Sequence, residues 1–169
     1  MRFRSFSLIV VLGVVLTVSL TACGGSSGTS AATQALQKQA DVNAIDAIEK
    51  TWHKASSTHN VDLMMSVWAP DSTFTIGPST LTGKSQIRDF FAHKAAPFQP
   101  GNHWVSDTPA YKIRITVNGD RGTLYFECHY IDVKTQKVMS VVAADQNVQK
   151  INGKWLITNS SGASPTLSP

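Results

Sequence analysis

Three turn signals cut the stretch from Asn102 to Ser160 into four alternating runs, and this pattern constrains the chain more than any other. The runs are 103–117, 121–132, 137–151 and 154–160, separated by Asn118-Gly119-Asp120, Val133-Lys134-Thr135-Gln136 and Asn152-Gly153. Asn-Gly between alternating runs specifies a tight hairpin, because both central residues of that turn take positive φ. Four long strands joined in this way form an antiparallel meander. Such a sheet twists and coils, and its concave face has to be covered.

The cover lies upstream. Val42, Ile45, Ile48, Trp52 and Ala55 recur at helical spacing, a stripe that ends near Thr58. Asn60 is placed to cap a second, short helix carrying Leu63, Met64, Val67 and Trp68. Ala69-Pro70-Asp71 stops that helix, and Ser72 to Ile76 alternates as a short strand broken by Gly77-Pro78. A third helix follows Leu81-Thr82-Gly83-Lys84, with Ile87, Phe90 and Phe91 on one face, and Pro97 to Gly101 reads as a loop. The order helix, helix, strand, helix, four strands predicts an α+β domain with helices on one side of an antiparallel sheet.

Ahead of the domain stands an address. Met1-Arg-Phe-Arg is basic, and Leu8 to Leu20 is uncharged but shorter than the roughly 20 residues of a membrane span. Leu20-Thr21-Ala22-Cys23 resembles the bacterial lipobox, in which the cysteine thiol takes a diacylglyceryl group and becomes the first mature residue. The resemblance implies a lipoprotein signal peptide over 1–22 and lipidation at Cys23. The expected location is the extracytoplasmic face of a bacterial cell envelope. Residues 23–40, opening on a Gly/Ser run, read as a flexible tether, 41–162 as the folded domain and 163–169 as a disordered tail.

Processing there would remove Arg2 and Arg4 and no acid, so the net charge of +4 falls by two to +2. No basic stripe remains to support a nucleic-acid partner. With Cys23 acylated, Cys128 is alone and no intrachain disulfide is available.

Two phrases carry a family resemblance. Asn60-Val-Asp-Leu-Met-Met-Ser-Val-Trp-Ala-Pro-Asp-Ser-Thr-Phe, followed by Leu81-Thr-Gly-Lys-Ser-Gln-Ile-Arg-Asp-Phe, resembles the SnoaL-like branch of the nuclear transport factor 2-like superfamily. Asn152-Gly-Lys-Trp-Leu-Ile-Thr-Asn-Ser-Ser-Gly-Ala-Ser is similar to the close of the calcium/calmodulin-dependent kinase II association domain. The implied fold is cone-shaped and also called cystatin-like: a strongly bent antiparallel sheet wrapped on about three N-terminal helices. It implies a pocket at the open end and frequent dimerisation through the sheet's outer face. Fold alone does not select a function, since the superfamily hosts enzymes, carriers and assembly modules.

Hairpin geometry orients the side chains. With Asn152-Gly153 as a two-residue turn, Lys150 faces Trp155, Val148 faces Ile157 and Gln146 faces Asn159. Val142, Ala144, Gln146, Val148, Trp155 and Ile157 then share the inward face, joined by Leu124, Phe126, Cys128 and Tyr130. Asp145, Tyr125, Glu127, His129 and Ile131 face outward. A slip of one residue would bring Asp145, Glu127 and His129 inside instead.

Where the chain resembles ketosteroid isomerase it departs at the decisive positions. That family's helix-one tyrosine falls on Trp52 and its general-base aspartate on Ile76, and neither residue can do that work. Against the kinase association domain, a pocket histidine is kept as His103, six residues before Pro109. That domain's pocket arginines fall on Phe126, Gln146 and near Ser160, so a guanidinium grip on an anion is not expected. His53, off the helical stripe, is expected to face solvent.

The ligand-binding residues expected are Trp52, His103, Phe126, Gln146 and Asn159, around a small, mostly apolar molecule. No nucleophile elbow, phosphate loop or Cys/His cluster is present, and Glu127 with His129 lacks a third ligand. No cofactor and no metal are therefore expected. The expected function is non-catalytic binding of that molecule or of an envelope protein, by a homodimer. The alternatives are a lyase, hydratase or isomerase on a cyclic or polyketide-like substrate using His103 and Asp145, and a structural dimerisation module.

Overall fold

The computed structural model describes residues 26–166, and the expected signal peptide and lipidation site at Cys23 lie outside them. Helix α1 runs Ser26–Ser57, α2 Val61–Met65 and α3 Lys84–His93, with a 3-10 turn at Ala96–Phe98. The strands are β1 Trp68–Ile76, β2 Ser79–Thr82, β3 Trp104–Ser106, β4 Lys112–Asn118, β5 Arg121–Asp132, β6 Lys137–Ile151 and β7 Lys154–Ala163.

α1 starts well before the expected stripe. Residues 26–40, read from sequence as a flexible tether, are helical here, and residues 30–40 are exposed. Ala31-Ala32 and Ala35-Leu36-Gln37-Lys38 are strong helix formers, and the packed half of the helix supplies the nucleus they extend. From Asp41 onward, Ile45, Ile48, Glu49, Trp52, His53, Ala55 and Ser56 are buried. Left-handed His59 ends the helix, and Asn60 caps α2 by accepting from the Leu63 N–H at 2.8 Å, as its position predicts.

The sheet order is β2-β1-β7-β6-β5-β3, with β4 also paired to β5. All pairs are antiparallel except β1 with β7, so the bent sheet is mixed rather than purely antiparallel. β1 begins at Trp68, earlier than expected, and Gly77-Pro78 folds it back into β2 rather than ending pairing.

The run 103–117 is two strands, not one. β3 pairs with the C-terminal part of β5 and β4 with its N-terminal part. Between them Pro109 has no N–H to give a ladder, and its neighbours are held elsewhere. Ser106 donates its N–H to Ser57 Oγ at 2.8 Å, and Ala110 donates to Glu49 Oε1 at 2.7 Å. The connection is thus pinned onto α1.

The predicted β6–β7 hairpin is present, with Lys150 opposite Trp155 and Val148 opposite Ile157. A bulge then shifts the register, because the Thr158 hydroxyl bonds the Asn147 carbonyl at 3.2 Å. Gln146 consequently faces Ser160, and Asn159 faces Asn147. The inward face is otherwise as expected: Leu124, Phe126, Cys128, Tyr130, Ala144, Gln146, Val148, Trp155 and Ile157 are buried, and Asp145 is exposed.

The tail is a further correction. β7 continues to Ala163, and Thr166 is hydrogen-bonded to Glu127 on the outer side of the sheet.

Candidate functional site

A cavity of about 290 Å³ opens between α1, α3 and the sheet. α1 supplies Trp52, α3 supplies Phe90 and Phe91, and β1 supplies Phe74, Thr75 and Ile76. Ala95, Ala96, Pro97 and Phe98 close one side, and Tyr130, Val142 and Gly162 the other. The α3 pattern explains the helix's part: Ile87 and Phe91, four apart, are buried, and Phe90 lies on the flank.

The aromatic walls are in mutual contact. Phe74 stacks on Phe91 with ring centres 5.7 Å apart, and Trp52 meets Phe91 edge-on at 5.4 Å. Phe98 meets Phe91 at 5.4 Å, and Phe90 meets Phe74 at 5.7 Å. Such edge and offset contacts fix the rings against one another.

Its polar content is small. The Tyr130 hydroxyl donates to Ser56 Oγ at 3.1 Å, and burial pushes its pKa up, so the phenol stays protonated and already engaged. Thr75 pairs with Thr80 through their hydroxyls at 3.1 Å. Among the described residues, no carboxylate, imidazole, lysine or arginine lines the cavity.

Of the residues expected at the site, Trp52 lines it. Phe126 is fully buried behind it, with its ring 5.9 Å from that of Trp52. Gln146 points inward but lies away from the cavity, its amide reaching Ser160 Oγ at 3.4 Å. Asn159 is turned to the other side by the bulge, where it donates to Thr73 Oγ1 at 2.8 Å. His103 sits at the start of β3, where its carbonyl accepts from the Val133 N–H at 3.1 Å. Asp145 is exposed opposite Tyr125 on β5. His103 and Asp145 are therefore not brought together, and an acid–base pair made of those two has no site.

The structure contains a different pair. His53 is fully buried, not solvent-facing, with Nδ1 2.8 Å from Oε1 of the equally buried Glu49. Glu49 Oε2 and both ring nitrogens of His53 lack a well-directed hydrogen bond. The Phe126 ring lies against His53 at 5.1 Å and against Trp52, and neither Glu49 nor His53 reaches the cavity. The sequence signal was the i, i+4 spacing of Glu49 and His53 between stripe residues. It was missed because α1 is covered by the sheet on a wide arc.

Cys128 is buried, and burial pushes its thiol up to about 12, which makes it unreactive. Among the described residues no three of His, Cys, Asp and Glu converge to hold a metal ion. On the outer face His129 Nδ1 lies 2.9 Å from Asp107, with the Tyr111 ring stacked on the imidazole at 4.6 Å.

Solved structures share this architecture. A nuclear transport factor 2-like protein with a cystatin-like fold from Novosphingobium aromaticivorans superposes with a TM-score of 0.67 at 14% identity, covering 86% of this chain and 93% of that one. A nuclear transport factor 2-like protein of unknown function from Pseudomonas putida gives 0.66 at 13% identity, covering 78% and 98%. A candidate dehydratase of that family from Streptomyces avermitilis gives 0.59 at 12% identity, covering 77% and 99%. At such identities the likeness concerns the fold alone. No curated protein matches the chain. The family of SnoaL-like domains matches residues 37–161, which take in the packed half of α1, α2, α3, β1 to β6 and most of β7, and the chain belongs to it.

Proposed function

We propose that the domain binds a small, uncharged, largely apolar molecule in the aromatic cavity, held at the extracytoplasmic face of a bacterial membrane by a lipid on Cys23. The observation that carries the binding assignment is the lining: five aromatic rings from α1, β1, α3 and the turn after it, and no free titratable group. A charged ligand would lose its hydration there without gaining a partner. An apolar one of matching size gains roughly 25 cal/mol per Å² of surface removed from water.

Lipidation is supported by the Leu20-Thr21-Ala22-Cys23 motif behind a short apolar segment. A homodimer through the outward sheet face is supported by Val138 and Met139, which remain 55% and 47% exposed. Residues 164–166 already cover Glu127 on that face, so the available surface is narrower than the alternation suggests.

The enzymatic alternative, a lyase, hydratase or isomerase, rests on one observation. Glu49 Oε2 and both ring nitrogens of His53 are left without a well-directed hydrogen bond, one aromatic layer behind the cavity wall. The candidate dehydratase among the similar structures belongs with this second possibility. It requires the Trp52 and Phe126 rings to move before a substrate could touch either group.

Native mass spectrometry of the protein purified from its own host tests the binding function. A co-purifying neutral, non-polar compound is expected. Protein that is ligand-free from every growth condition would remove the support for a resident ligand.

A further inference from the structure

The most heavily bonded charged side chain among the described residues faces away from the cavity. Glu127 lies on the outward side of β5, where alternation predicts a solvated carboxylate, yet it is fully buried. Tyr111 donates its hydroxyl to Oε2 at 2.7 Å, and Tyr125 donates to Oε1. Lys112 Nζ stands 3.2 Å from Oε1. The last two donors come from the tail: the Thr166 N–H reaches Oε2 at 2.9 Å and the Thr166 hydroxyl reaches Oε1 at 2.5 Å. A carboxylate offers about four lone-pair positions, and these donors fill them.

The route of the tail follows from the registers. Glu127 is opposite Ala143 on β6, and Ala143 is opposite Ala163 on β7, so the three residues form one row across the sheet. After Ala163, Pro165 cannot extend the ladder, and the chain turns along that row. Two strand spacings are about 10 Å, which three extended residues span at roughly 3.3 Å each. Ala143 presents only a methyl group where the tail crosses, and it is buried there.

Recognition of Thr166 is specific to a hydroxyl. Its oxygen donates to Glu127 and accepts from Lys112 Nζ, so it is used in both senses. Valine or alanine can do neither. Ser164 and Pro165, which lead to Thr166, are exposed.

We propose that Glu127, Tyr111, Tyr125 and Lys112 form a docking site for an extended peptide bearing a serine or threonine, and that residues 164–166 are its internal ligand. The site is separate from the aromatic cavity and does not depend on what that cavity binds. In the intact chain the tethered tail competes at an effective concentration on the order of millimolar, which keeps the site closed to dilute peptides. Weakening the tail opens it.

The test uses full-length protein carrying Thr166→Val and a fluorescein-labelled heptapeptide of residues 163–169. Fluorescence anisotropy is expected to show saturable binding to the T166V protein, at least tenfold tighter than to wild type. A heptapeptide with its own T166V change is expected to bind neither protein. Equal binding to variant and wild type would overturn the proposal, as would binding indifferent to the peptide's threonine, or no binding to the variant up to millimolar peptide.

Discussion

Gln146 is buried on the inward face of β6, opposite Ser160. Alternation along β6 put it inward and Asp145 outward, and both are so placed. Its partner differs from the one that simple alternation predicts, because the bulge between Asn147 and Val148 inserts Thr158 and exchanges Asn159 for Ser160. Its Oε1 has no hydrogen-bond partner, and a buried unsatisfied acceptor costs about 1–3 kcal/mol. Gln146→Leu nearly keeps the shape and removes that acceptor, so its unfolding free energy should equal or exceed that of wild type by about 1 kcal/mol. Asp145→Asn, exposed, should leave stability unchanged. Urea denaturation of both variants checks this, and a marked loss in Gln146→Leu would mean that the amide is satisfied in solution. His53 failed for a different reason: a helix stripe read from apolar residues omits polar ones that a wide contact buries. Glu127 is enclosed by Tyr111, Tyr125, Lys112 and Thr166, the last 39 residues away, and no local pattern encodes that contact.

At the scale of elements, hairpins were legible and the pairings that close the sheet were not. Asn152-Gly153 makes the β6–β7 turn as expected, both residues at positive φ, whereas Asn118 is paired with Arg121 and the β4–β5 turn is made by Gly119-Asp120, with positive φ at Gly119 alone. The parallel β1–β7 pair and the β3–β4 break depend on contacts distant in sequence, such as Ala110 N–H to Glu49. The seat of α1 on the sheet depends on Gly122. A Cβ there would lie 2.5 Å from the Thr116 carbonyl oxygen, 3.1 Å from Ile45 Cδ1 and 3.3 Å from Val148 Cγ2. The first contact is with backbone in the neighbouring strand and cannot rotate away. Gly122→Ala should therefore destabilise by about 2 kcal/mol despite its small size. Thermal unfolding measures this, and an unchanged midpoint would show that α1 and β4 have slack the packing does not suggest.

For the whole molecule, the central claim joins an anchored domain to an uncharged cavity. The anchor is tested by Cys23→Ser with an alkyne fatty-acid label. One acyl chain contributes about 0.8 kcal/mol per buried methylene, far more than a domain near neutral charge gains from lipid headgroups. Label and membrane retention should disappear together, and retention without label on either protein would reject lipidation. The cavity is tested most directly by titrating a neutral, polarity-sensitive dye, 1-aminoanthracene, into wild type and Val142→Lys. Val142 is half-buried on the cavity wall, so the lysine can fold outward yet places a charge at the site. Wild type should bind the dye saturably with a blue-shifted emission. Val142→Lys should weaken binding by about tenfold or more with its thermal midpoint unchanged, because dye seated beside the ammonium would strip water from it and offer no partner in return. Equal dye affinity in the two proteins, or none in wild type, would contradict an apolar binding site between α1, α3 and the sheet.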